Sequence, residues 1–156
     1  MVSSILSSAP AGLVNRATAT SLAILVMTSI HHVYGAEIFD TPYRLHIVYV
    51  SIPVALIILG CVALARRTAS ETVARAASWL FVVLTGLFAI AAVGFYEGGY
   101  NHVSPNIQYV LGVEYTRRAR LYAPPDDLVY QLTGVAQFPI ALTAAWALWR
   151  LIASRA

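Results

Sequence analysis

The sequence predicts an all-α membrane protein, a bundle of four transmembrane helices. Three observations predict it. Hydrophobic residues make up 59% of the 156 residues and charged residues only 11%. Soluble domains average about 45–50% apolar and about 25% charged residues. The apolar residues are gathered into four long runs, and none of the runs alternates as a strand would. The single cysteine excludes an internal disulfide framework and a Cys-rich zinc site. The net charge of +3 is spread beside the apolar runs, which speaks against a nucleic-acid partner.

A span needs about 20 mostly apolar residues, because the hydrocarbon core is about 30 Å thick. The runs 17–34, 47–65, 77–96 and 128–152 qualify, and the chain reads as one integral membrane domain. Arg16 before the first run and Val33-Tyr34-Gly35 near its end also fit a cleaved signal peptide. The run is read here as an uncleaved first span.

In the first connection, Glu37, Asp40, Thr41, Pro42 and Arg44 form a short loop. Between spans two and three, Thr68 and Glu71 have capping-box spacing. Glu71 and Arg75 can pair one turn apart. Spans two and three are thus expected as a tight antiparallel hairpin. The third connection, 98–127, is too long for a plain turn. Gly98-Gly99 is expected to end or bend span three. Ser104-Pro105 then looks like the start of a short interfacial helix, carried by Ile107, Val110, Leu111 and Tyr115. Arg117, Arg118 and Arg120 follow, Pro124-Pro125 stops the helix, and Asp126 can cap span four. Pro53 and Pro139 fall inside spans two and four and are expected to kink them, which helps shape a cavity.

Arginine placement gives the orientation, since the chain has no lysine. Arg16, Arg66, Arg67, Arg75, Arg150 and Arg155 lie on one side, and Arg44, Arg117, Arg118 and Arg120 on the other. By the positive-inside rule both termini are cytoplasmic. Short length and all-arginine usage favour a bacterial inner membrane. Trp79, Trp146 and Trp149 fit a cytoplasmic-side belt.

The polar residues gather at the opposite, outer end. His31, His32, His46 and His102 all fall there, with Glu37, Glu97 and Asp127 at the same level. An intramembrane carboxylate is costly unless paired, hydrated or bound to metal. Imidazole with carboxylate is the ligand set of iron, copper, zinc or manganese. His31, His32, His46, Glu97 and His102 are therefore the candidate metal ligands, and two of the histidines can alternatively clamp a haem b. His31 and His32 point about 100° apart, so one of them is expected to face the interior. Tyr34, Tyr49, Tyr96, Asn101 and Tyr130 are candidate cofactor-binding residues around the same pocket. Glu97 can instead pair with Arg44 or a loop arginine. Gln131, Thr133 and Gln137 fit as interhelical hydrogen-bond glue, and Gly94-x-x-x-Gly98 as a close-packing pair.

The function read from these residues is a metal- or haem-binding membrane protein with a redox-type role. Two other classes stay open. One is a non-catalytic subunit or assembly factor of a larger membrane complex. The other is a small oligomeric transporter, or a lipid- or quinone-handling protein. Histidine and tyrosine also collect at membrane interfaces as a wet belt without any bound ion. Besides lipids, the expected partners are copies of this chain or a larger complex.

Overall fold

The computed structural model describes residues 4–113 and 127–154. After a single helical turn, α1 (Ile5–Ser8), the chain enters α2 (Ala11–Ile38). A 3-10 turn (Pro42–Leu45) leads into α3 (His46–Arg67). Next comes α4 (Glu71–Val83), which passes without a break into a π-helical segment (Leu84–Val103) and then α5 (Ser104–Val110). The last helix is α6 (Leu128–Ala153). Among the described residues there is no strand. Four rods are long and apolar enough to cross a membrane: Ala11–Ile38, Pro42–Arg67, Glu71–Val110 and Leu128–Ala153.

The rods form an antiparallel bundle. In it α6 packs along α2 and the π segment, while α3 packs along α2 and α4. Ile24, Ile58, Phe81, Ala89, Ala141, Ala144 and Leu151 are fully buried. Only 22–39% of each spanning stretch is buried inside the bundle. Leu56, Leu87, Trp79 and Trp149 point outward. Lipid tails are as apolar as these side chains, so such a surface carries no hydrophobic cost in a bilayer, and each helix pairs its backbone groups internally.

The connections place the site. Thr41 N–H donates to the Ala36 carbonyl (2.9 Å) as Asp40 takes a left-handed φ of 48°. Aspartate tolerates that region better than most residues. This tight reversal returns the chain at the same level, so His46 opens α3 beside the end of α2. At the other end of the bundle the sequence expectation needs correction. Ser70, not Thr68, caps α4, accepting from Val73 N–H (3.4 Å). Thr68 Oγ1 accepts from Ser70 N–H instead (3.1 Å), and among the described residues Glu71 and Arg75 form no ion pair. Both Thr68 and Ser70 have extended backbone, but α4 begins at Glu71, so Ser70 stands directly before it in the cap position.

Span three departs most from expectation. It does not end or break at Gly98-Gly99. The two glycines lie where α6 comes closest. A Cβ on Gly98 would sit 2.8 Å from both Gln137 Cβ and Phe138 N, while Gly94 abuts Ala141. Small residues permit that approach, and the helix continues through them. Ser104 likewise keeps helical backbone (φ −59°, ψ −48°) instead of starting a separate helix. The rod stops at Gly112, whose φ of 68° supports a bond from Val113 N–H to the Gln108 carbonyl (2.9 Å). Tyr115, Arg117, Arg118, Arg120, Pro124, Pro125 and Asp126 lie outside the described residues, as does Arg155. Within them, Asp127 caps α6 by accepting from Tyr130 N–H (2.9 Å). Pro53 and Pro139 remain inside unbroken helices.

The π winding has a consequence for side-chain placement. Thr85, Ala89, Val93, Gly98 and His102 are all buried, recurring every four or five residues. At the α-helical rate of about 100° per residue, Glu97 and His102 would point roughly 140° apart. In an i→i+5 helix, residues five apart stack on one face.

Candidate metal centre

Three helical rods bring polar side chains to the end of the bundle formed by the C-terminal part of α2. His31 is fully buried there. Its Nδ1 lies 3.1 Å from Thr133 Oγ1 of α6. The Thr133 hydroxyl donates to carbonyls of its own helix, Val129 (2.8 Å) and Tyr130 (3.1 Å). With its single hydrogen on the Val129 carbonyl, the shortest of these contacts, its oxygen accepts from His31, and the ring hydrogen then sits on Nδ1. Nε2 is left as a bare lone pair, buried and without a hydrogen-bond partner. This is the tautomer a metal-ligating histidine needs, held by an outer partner. Tyr130 stacks on the His31 ring, with centroids 4.2 Å apart and planes at 27°.

The π segment supplies Glu97 and His102. The His102 ring stands edge-on to His31 at 4.5 Å. It occupies space left by Gly134 of α6, where a Cβ would fall 2.5 Å from the ring. His102 Nε2 is 3.4 Å from Glu97 Oε1, and His32 Nε2 is 3.6 Å from the same oxygen. Asn101 Nδ2 donates to Glu97 Oε2 at 2.8 Å, fixing the carboxylate. Distances of 3.4–3.6 Å are long for a charge-assisted hydrogen bond. They are close to the spacing of about 3.3 Å between neighbouring ligands on a tetrahedral ion with bonds of about 2.0 Å.

His31, Glu97 and His102 each offer one ligand atom, and these atoms lie within 4.8 Å of one another. The three form a group that can hold one metal ion. Two imidazoles and one carboxylate leave coordination positions open. A cavity of about 290 Å³ borders the group on the side of Glu97 and His102. His32, Arg44, His46, Tyr96, Tyr100 and Asn101 are among its lining residues.

The other residues singled out in the sequence take different places. His32 is buried beside His31, so both adjacent histidines face inward, contrary to expectation. The close approach of the π segment on one side and α3 on the other makes this possible: His32 meets Glu97 and lies 6.1 Å from the His46 ring. His46 is exposed, and its Nδ1 donates to the Tyr43 carbonyl (2.7 Å). Tyr96 and Tyr100 stack on one another at the cavity mouth. Tyr49 is 69% exposed and lies outside the cavity, one turn past His46 on the outer side of α3. Tyr34 donates to Asp127 Oδ2 (3.0 Å) and so ties α2 to the start of α6. The Tyr130 N–H, with the Tyr34 hydroxyl, holds the Asp127 carboxyl below the usual carboxylate range.

Arg44 does not pair with Glu97. Its Nη1 donates to Tyr130 Oη (2.7 Å) and its Nε to Thr41 Oγ1 (2.8 Å). From sequence Thr133 reads only as helix glue, and Gly134 has no role beside His102. A threonine one turn from Tyr130 on an apolar helix was the available signal for the first. Of the two glutamines expected as glue, Gln131 accepts from Asn106 Nδ2 (3.0 Å), whereas the Gln137 amide is buried without a hydrogen-bond partner. Compared with known proteins, the chain matches no family model, no curated protein and no solved structure.

Proposed function

We propose that this chain is a membrane metalloprotein that holds one transition-metal ion at His31, Glu97 and His102 for redox-type chemistry. One observation carries the reading. A buried imidazole has its tautomer set by Thr133 so that its lone pair faces a second imidazole and a carboxylate. A polar belt without an ion would gain nothing from an unpartnered buried nitrogen, which costs free energy in an apolar interior. Iron, copper, manganese and zinc all accept this donor set; open positions favour a reactive centre over a closed structural one. A single ion fits better than a haem between His31 and His102. Their rings are 4.5 Å apart and leave no room for a macrocycle between them.

Orientation supports an outer-facing site. Among the described residues, Arg16, Arg66, Arg67, Arg75 and Arg150 lie toward the end opposite the cluster and Arg44 lies beside it; over the whole sequence Arg155 joins the first group, and Arg117, Arg118 and Arg120 join Arg44, a margin of six to four. The positive-inside rule then puts both termini in the cytoplasm. The test is metal analysis of detergent-purified protein never exposed to chelator or nickel resin. About one ion per chain is expected, falling to background in His102→Ala and Glu97→Gln. Equal metal content in the wild type and both variants would remove the site.

A further inference from the structure

We propose that His32 and His46 form an outer cation station through which a divalent transition-metal ion reaches the buried triad. The inference rests on the reading of His31, Glu97 and His102 as a metal centre. His46 is exposed at the cavity mouth. Its Nδ1 faces the Tyr43 carbonyl, which can only accept, so the neutral ring carries its hydrogen there and offers Nε2 as a bare lone pair. His32 is 6% exposed, and neither of its ring nitrogens has a hydrogen-bond partner. A buried imidazole with no hydrogen bond, only a carboxylate oxygen 3.6 Å away, is costly unless something else occupies its lone pair. The two rings are 6.1 Å apart, within the span of one ion held from two sides.

Glu97 links the station to the triad. Its Oε2 is held by Asn101, and its Oε1 lies between His32 Nε2 (3.6 Å) and His102 Nε2 (3.4 Å). An ion on His32 and His46 can gain this oxygen before it gives up either imidazole. It then exchanges His46 and His32 for His102 and His31. Each step swaps one neutral donor or water for another, apart from the single carboxylate, and the ion keeps its oxidation state. Displaced water leaves by the cavity. Two donors bind less tightly than three, so the gradient of affinity runs inward.

Cobalt(II) alone serves as the probe, added to the metal-stripped full chain in detergent. Its visible absorption bands report uptake in a stopped-flow instrument, and metal analysis reports the end-point. His46→Ala and His32→Asn are each expected to slow uptake by about tenfold or more, the scale on which lost outer partners weaken metal sites. The end-point stays near one ion per chain in both. Wild-type uptake rates in both variants would overturn the station. Loss of the end-point in His46→Ala would overturn it too, by making His46 a ligand of the tight site. Glu97→Gln separates the two readings: it must abolish the end-point if the triad is the centre, whatever the rates in the histidine variants. A wild-type chain that takes up no cobalt would sink both.

Discussion

The two ends of the bundle solve the problem of buried polar groups in different ways. At the end where the N-terminal turn meets α4, Ser4 Oγ and Ser78 Oγ are 2.9 Å apart, and Ser78 also accepts from Leu6 N–H (3.1 Å). One level further in, Ser21 donates to the Ala17 carbonyl (2.7 Å) and lies 3.3 Å from Thr85 Oγ1. Every one of these groups is matched within the chain. At the other end, His31 Nε2 and both nitrogens of His32 are buried without hydrogen-bond partners. Yet these rings are carefully held, by Thr133, Tyr130 and Glu97. Thr28 Oγ1, Ser51 Oγ and the Gln137 amide are also buried without hydrogen-bond partners. What sets the histidine end apart is that its unmatched nitrogens converge with a carboxylate, as ligand atoms do.

The largest effect that sharpens this contrast is at Glu97. Glu97→Gln removes the only carboxylate of the triad, and metal binding measured by competition with a chelator is expected to weaken by more than about a hundredfold, beyond the cost of an outer-partner change. The helical content, read by circular dichroism, stays as in the wild type. Thr133→Val comes next. It removes the acceptor that sets the His31 tautomer and is expected to weaken binding by about 10–100-fold, while Thr133→Ser keeps it. A Thr133→Val chain with wild-type affinity would show that the tautomer is not held there.

Ser78→Ala tests the opposite end. Losing the link to Ser4 and Leu6 is expected to cost about 1 kcal/mol in a detergent-unfolding titration, with metal content unchanged. Loss of metal in this variant would break the separation between the two ends. The smallest effect belongs to Asp127. Its folded carboxyl is held below the usual range by Tyr130 N–H. Its contribution is therefore present above the ordinary carboxylate pKa of about 4 and is lost as pH falls through the lower folded value. Thermal unfolding should grow more acid-sensitive in that window for the wild type than for Asp127→Asn. Equal acid sensitivity of the two would remove the cap's role.

The same contrast explains what could be read from sequence. Four apolar runs declare the bundle, because lipid requires every spanning backbone to pair within its own helix. The gathering of His31, His32, His46, Glu97 and His102 at one end was legible from their positions at span ends. Their mutual geometry was not. Glu97 and His102 are five residues apart and face each other only because that stretch winds as a π-helix. Gly98-Gly99 reads as a helix end by its own preference, but the close approach of α6 overrides that preference. Tyr49 shares a stripe with His46 in the sequence, yet it faces away from the cavity, since only one side of α3 meets the bundle. Local patterns fix which residues reach a given level of the membrane; packing decides which of them meet.

The most direct test is a crystal structure of the protein with data collected on both sides of the absorption edge of its bound metal. An anomalous peak among His31 Nε2, Glu97 Oε1 and His102 Nε2 is the predicted result. An ordered triad in a metal-replete crystal with no peak there, or with the metal bound elsewhere, would contradict it.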